Sequence, residues 1–245
     1  QARPEHGRHI LVSGFSRSGS TMFYNMLRSS VTNFDFLDRE YPAARLIGTD
    51  PRNLVTKRPL DIFDIQNIVT ANTLNKDLDF IVVLRDIRSI ITSIHKSVPD
   101  DYFIAYDYQY FIPPGGTPTR TIPGILPTYQ AIIQLIKGNI PGKKIIVRYE
   151  DLVQSTTRVQ AYLAQVLRLE YRDRFENFHR TKIPDQLTMP LNKIVAPDAA
   201  RISKWKQPQH RERIRSQFAQ CPALFDILVQ TGYEKDRSWF KAFES

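Results

Sequence analysis

A strand, a glycine- and serine-rich turn and a helix follow one another in HILVSGFSRSGSTMFYNML, which begins at His9, and this order constrains the chain more than any other feature. The apolar run from Ile10 to Val12 reads as a buried strand, and the stretch from Met22 to Leu27 is helix-compatible. The turn between them, from Gly14 to Gly19, opens directly into the helix, so backbone N–H groups and a helix N-terminus converge on whatever the turn faces. That arrangement suits an anion. A ligand-free connection is the plain alternative, because small residues are common at such turns. A second segment, FIVVLRDIRSIITSIH from Phe80 to His95, repeats the pattern of an apolar strand running into a helix.

Extended along the chain, the patterning predicts strands over 10–13, 54–57, 80–84 and 145–148. Helices are expected over 20–28, 61–74, 88–96, 127–138 and 156–169, with two or three more within 209–231. This alternation predicts an α/β fold: one domain over residues 1–245, with a central, mostly parallel sheet flanked by helices around a P-loop-like core. Residues 98–127 break the alternation with Pro113, Pro114, Gly115, Gly116, Pro118, Pro123 and Gly124 among six aromatic residues. A loop of that length inside a compact domain is usually functional, and so many aromatics argue against disorder. It reads as a substrate-side lid, with packing against the body as the plain alternative.

The spacing from Gly14 to Gly19 matches the G-x-x-x-x-G-K-[ST] loop of nucleotide triphosphatases, but Ser20 stands where the lysine belongs. That lysine reaches the β- and γ-phosphates. With Arg17 inside the loop instead, the site suits a 5′-phosphate carrying a transferable group better than ATP with magnesium. At the end of the strand over 80–84, Arg85 offers a planar fork for a second phosphate. In a doubly wound sheet it falls in the same crevice as the first loop. Ser93, eight positions on, lies about two helical turns away and is able to donate to the same group. The alternative is an Arg85 paired with Asp86 and a Ser93 bonded to its own backbone.

These residues resemble the sulfotransferase family. The stretch SGFSRSGST matches its 5′-phosphosulfate loop, and LRD through Ser93 matches its 3′-phosphate motif. The stretch KIIVRYEDL from Lys144 is similar to its later strand and Tyr-Glu-Asp-Leu turn, so the likeness runs from His9 to about Asp151. Ile87 stands where many members have proline, and the Arg-Lys-Gly signature of cytosolic members is not recognisable. The resemblance, nearer to carbohydrate and protein-tyrosine types, implies 3′-phosphoadenosine 5′-phosphosulfate as donor, a hydroxyl acceptor and no metal. It implies donor binding by Ser16, Arg17, Ser18, Gly19, Ser20, Thr21, Arg85 and Ser93. Arg17, where many members carry lysine, then acts as an electrostatic clamp on the leaving oxygen rather than as an acid.

The same resemblance places a catalytic base in the segment FDFLDREYP from Phe34, where Glu40 fits best and Asp38 is the nearest competitor. The alternative for Glu40 is a solvated carboxylate paired with Arg39 or Arg45. His95 is a third candidate for the base, since cytosolic members use histidine, but it stands outside their catalytic segment. The stretch TKRP from Thr56 resembles the turn in which a lysine, here Lys57, meets the sulfonate or the acceptor, while Arg58 faces solvent. In ARISKWK, from Ala200, Arg201, Trp205 and Lys206 resemble a cofactor-covering segment, placed within residues 180–206. A basic helix start with one buried tryptophan is an equal reading there.

Composition agrees with an enzyme of this class. At 245 residues and 42% hydrophobic content the chain can bury one sizeable core. The net charge of +9 is spread along the chain, which suits a polyanionic donor, and an anionic glycan is among the candidate acceptors. The lone Cys221 excludes an internal disulfide framework and favours a reducing compartment, hence a cytoplasmic expectation. The opening residue, Gln1, leaves room for an upstream anchor and a Golgi-type location instead. No apolar run has the length of a membrane span.

Three other classes share some of these features. A nucleotide or small-molecule kinase would share the sheet, but it needs lysine at position 20 and an acidic magnesium ligand. A nucleic-acid-binding protein would explain the charge, yet no zinc-finger, helix-turn-helix or RNA-recognition signature is present. A non-catalytic glycan-binding relative fits if Glu40 lies away from the donor. For the acceptor, the positive charge and the Glu-type base lean towards a saccharide or other glycan, while the aromatic-rich loop equally suits a phenol, lipid or peptide tyrosine.

Overall fold

The computed structural model describes residues 7–93, 104–106, 108–111, 118–188 and 195–244. These divide into two compact units, one spanning Gln1–Leu84 with Gln134–Ala199 and the other spanning Arg85–Ile133 with Ala200–Ser245. Among the described residues no helix is long and apolar enough to cross a membrane.

The first unit carries a five-stranded sheet of β1 (Arg8–Gly14), β2 (Asp35–Phe36), β3 (Leu54–Lys57), β4 (Asp77–Leu84) and β7 (Lys144–Arg148). Its order is β2-β3-β1-β4-β7 and every pairing is parallel. The expected α/β architecture is therefore present, with β3 beginning and ending where its patterning places it. β2 was not anticipated, since two residues carry no readable alternation. β1 lies between β3 and β4, so the chain passes to one side of β1 and then crosses to the other. That reversal puts the turn after β1 at the switch point of the sheet, where open α/β sheets bind ligands.

β1 and β4 are apolar throughout their centres because both faces are covered. Helix α1 (Ser20–Ser30) buries Phe23, Tyr24, Met26 and Leu27 in the main core, and Phe23 meets Phe175 edge-to-face at 6.2 Å. Helices α5 (Tyr149–Gln154) and α6 (Thr156–Leu167) follow β7, and the short α7 (Asp185–Thr188) adds Leu187 to the same core. The helix expected over 61–74 is instead a 3-10 turn, Pro59–Phe63, followed by α2 (Ile65–Ala71). Pro59 starts that turn, and Asp64 stands between the two pieces.

In the second unit, α3 (Ile87–Ile91) follows β4 and is shorter than the expected span of 88–96. Within residues 98–127 the described residues form an antiparallel hairpin of β5 (Tyr108–Phe111) and β6 (Pro118–Ile122), and α4 (Ile125–Lys137) begins before the segment ends. The stretch expected to be a loop thus holds regular structure; residues 98–103, 107 and 112–117 of it lie outside the described residues. Helices α8 (Arg211–Gln220), α9 (Ala223–Gln230) and α10 (Lys241–Glu244) complete the unit. Phe218, Phe225, Trp239 and Phe240 form an aromatic cluster with ring centroids 4.9–6.0 Å apart.

Arg88 is buried beside that cluster. Its guanidinium lies 3.9 Å from the Trp205 ring and 4.6 Å from the Trp239 ring. It also grips Asp86 through Nε at 2.9 Å and Nη2 at 2.7 Å, and donates to Glu234. A charge taken out of water needs such partners, and removing one side of a buried pair costs about 3–5 kcal/mol. Arg88→Met is expected to lower stability by that amount in urea unfolding followed by tryptophan fluorescence, since it strips the guanidinium from both carboxylates.

His9, fully buried on β1, shares a 2.8 Å hydrogen bond between Nε2 and the Thr56 hydroxyl, while its Nδ1 finds no partner among the described residues. Burial, helped by the nearby Lys76 ammonium, pushes its pKa down to about 3. Between that value and the ordinary 6.5 the unfolded chain binds a proton that the folded chain refuses, so stability falls as pH drops below 6.5. The slope from this one group is about 1.4 kcal/mol per pH unit. Urea unfolding at pH 7 and pH 5 is expected to show that loss, and His9→Asn, which cannot titrate, is expected to lose about 2 kcal/mol less over the same interval.

Candidate functional site

The turn after β1 is shaped by two glycines. Gly14 has φ +128°, and a Cβ there would lie 2.4 Å from the Val83 carbonyl, so β1 ends in direct backbone contact with β4. Gly19, with φ +88°, stands at the N-cap of α1, where a Cβ would be 2.5 Å from the Tyr149 ring. Arg17 between them is also left-handed, at φ 65°. This tight turn leaves α1 with no side-chain cap and no acidic residue in its first turn. The amides of a first helical turn lack intrahelical partners and carry the positive end of the helix dipole. Ser18, fully buried, has a hydroxyl without a partner among the described residues, and Ser20 and Thr21 are buried beside it in sequence. Such a concavity of donors is chemically suited to an anion.

A cation reaches this turn from the neighbouring strand. Lys57, the last residue of β3 and in register with Val12 of β1, is 3% exposed. Its Nζ donates to Thr21 Oγ1 at 2.6 Å and to Glu40 Oε1. Burial draws the proton affinity of the ammonium down, and the Glu40 carboxylate opposes that shift. The charge missing from position 20 of the loop is thus supplied in space by position 57.

The chain that carries Glu40 is held on both sides. The Leu37 amide donates to the Tyr24 hydroxyl of α1 at 2.8 Å, and that hydroxyl lies 3.0 Å and 3.2 Å from the Leu37 and Val55 carbonyls. On the other side the Ala43 amide donates to Asp61 Oδ2 at 3.1 Å, while Asp61 Oδ1 receives Arg58 at 3.0 Å. Burial raises the Asp61 carboxyl above its ordinary range, against the pull of that amide and of Arg58. Arg58 therefore serves Asp61 rather than simply facing solvent. Glu40 pairs with Lys57, not with Arg39 or Arg45. Its competitor Asp38 is bound to Arg28 at 2.8 Å, and Arg39 lies over the Tyr41 ring at 5.5 Å.

In the second unit Arg85 is the first residue after β4, and Asp86 caps α3 by accepting from the Arg88 amide at 2.9 Å. Because α3 ends at Ile91, Ser93 sits in the bend beyond it, its amide bonded to the Ile90 carbonyl at 3.0 Å. The two-turn helical path from Arg85 to Ser93 is therefore replaced by one short helix and a bend. His95 lies outside the described residues, as do residues 189–194 of the expected covering segment. Arg201, Trp205 and Lys206 share a 3-10 helix, Ala199–Lys206, in which Trp205 is buried against Arg88 and the two basic residues are exposed. Tyr24, Asp61 and Arg88 had no role assigned from sequence. Only their being polar groups inside apolar patterns could have marked them. Among the described residues no group of three His, Cys, Asp or Glu side chains is gathered to hold a metal ion.

No protein-family model and no curated protein sequence matches the chain. Solved structures do. One described as the sulfotransferase domain from the curacin biosynthetic pathway is 17% identical, with a TM-score of 0.54 over 87% of this chain and 98% of that one. Another, the sulfotransferase domain from the Synechococcus PCC 7002 olefin synthase, is 13% identical, with a TM-score of 0.49 over 88% and 97%. The first of these likenesses, together with the parallel sheet and the turn after β1, identifies the chain as having the sulfotransferase fold.

Proposed function

We propose that the protein transfers a sulfuryl group from 3′-phosphoadenosine 5′-phosphosulfate to an acceptor hydroxyl. The observation that carries this reading is the uncapped start of α1, with the buried Ser18 hydroxyl before it and the Lys57 ammonium on Thr21. The donor's 5′ end brings the anion that such a turn accepts, and its phosphosulfate linkage supplies the transferable group. Ser16 to Thr21 bind that end, and Arg17 stabilises the negative charge that develops on the bridging oxygen. Lys57 faces the sulfonate oxygens. Arg85 and Ser93 take the 3′-phosphate, as the family resemblance implies, and Arg201, Trp205 and Lys206 belong to the covering segment. Glu40 accepts the proton of the acceptor hydroxyl, and transfer is in line without a covalent enzyme intermediate.

We also propose a saccharide as acceptor. A pocket of about 600 Å³ borders the Glu40 segment, with Leu37, Tyr41, Leu46, Asp38, Asp185 and Gln186 among its walls. One ring with carboxylate and amide acceptors suits the apolar faces and hydroxyls of a sugar.

Thermal unfolding with adenosine 3′,5′-bisphosphate is the direct test, because a ligand held only by the folded state at a hundred times its Kd stabilises it by about 2.7 kcal/mol. A clear shift with the bisphosphate and none with ATP and magnesium is expected; equal shifts, or a response to ATP alone, would reject the reading. Arg85→Ala is expected to weaken bisphosphate binding about ten- to a hundred-fold, as loss of a charge-assisted contact does. Glu40→Gln is expected to cut turnover by roughly a hundred-fold or more while retaining bisphosphate affinity. Mass spectrometry of products from a panel of sugars, phenols and alcohols identifies the acceptor class.

A further inference from the structure

We infer that Glu40 and the sulfonate of the donor compete for the Lys57 ammonium, so that donor binding itself releases the base; this rests on the sulfuryl-transfer reading above. Lys57 cannot turn to water, being 3% exposed and fixed at the end of β3. Two of its three N–H donors are already committed, one to Thr21 at the second position of α1 and one to Glu40. Glu40 is the only carboxylate that acts on this ammonium among the described residues. An anion bound at the start of α1 arrives on the Thr21 side of the same nitrogen. Two negative groups on one cation repel each other, which offsets part of the attraction each has for it. The group able to leave is Glu40, whose side chain is 41% exposed, whereas the rest of the knot is buried.

The consequence is an order of events. Without donor, the Glu40 oxygen that faces Lys57 is occupied by the ammonium, so that oxygen takes no acceptor proton. With donor, Lys57 turns its hydrogen bond to a sulfonate oxygen and Glu40 is freed. The acceptor proton then passes to Glu40 as the acceptor oxygen bonds to sulfur. The bond from sulfur to the bridging oxygen breaks, and its electron pair stays on the departing 5′-phosphate. Thr21 is a positioning residue in this scheme, since its hydroxyl holds the ammonium against α1 while the other hydrogen bond passes from Glu40 to the sulfonate.

Calorimetric titration of the full chain with 3′-phosphoadenosine 5′-phosphosulfate and with adenosine 3′,5′-bisphosphate tests this, because only the first carries a sulfonate. Glu40→Gln is expected to tighten the sulfonated donor about ten-fold and to change the bisphosphate by less than about two-fold. In a Lys57→Met background the same change is expected to have no such selective effect, as a double-mutant cycle requires of a shared partner. Glu40→Ala serves the same comparison should Glu40→Gln fold poorly. Unchanged or weakened donor binding in both Glu40 variants would overturn the exchange. So would tightening that persists at full size with Lys57→Met, which would mean direct repulsion by Glu40. If neither nucleotide binds the unaltered protein, the sulfuryl-transfer reading falls and the exchange falls with it.

Discussion

A buried ammonium at the end of β3 organises the first unit. Removing a lysine head group from water costs several kcal/mol unless partners replace the solvent, and Lys57 finds them in Thr21 of α1 and in Glu40. Each partner must then be held in place. Thr21 is fixed because α1 packs its Phe23, Met26 and Leu27 into the core, and the chain that carries Glu40 is anchored by Tyr24 and Asp61 at Leu37 and Ala43. One desolvated charge thereby ties the strand, the helix that follows the Gly14–Gly19 turn and an otherwise irregular connection into one arrangement.

The second unit answers a similar problem with aromatic rings. Arg88 is as deeply buried as Lys57, yet its planar, weakly hydrated guanidinium can lie against Trp205 and Trp239 while its edge serves Asp86 and Glu234. A lysine could not use the rings and the fork together. Asp86, gripped in this way, also caps α3. The turn that carries Arg85 is therefore followed immediately by a capped helix of five residues.

Local pattern made much of the sheet legible. β1, β3, β4 and β7 are short apolar runs bounded by turn residues, and the glycines at 14 and 19 mark the turn because an added Cβ would strike the Val83 backbone or the Tyr149 ring. β2 escaped notice because two residues have no period, and α2 was merged with its preceding 3-10 turn because both share one apolar face in sequence. The hairpin of β5 and β6 hid behind Pro113, Pro114 and their neighbours, whose density reads as irregular chain even where strands flank it. Glu40 was singled out through family likeness, but its ion-pair partner was not legible, since Arg39 and Arg45 are nearer along the chain than Lys57.

By itself the sequence determined the alternating strands and helices, the parallel sheet that such alternation builds, and the missing lysine of the loop, because periodicity and motif spacing are read from residues close together in the chain. Only the tertiary structure decided which charge meets which. Lys57 reaches Thr21 across 36 positions, and Arg88 reaches Glu234 across 146. Such pairings leave no periodic trace, because they depend on strand order and on which groups the packing removes from water.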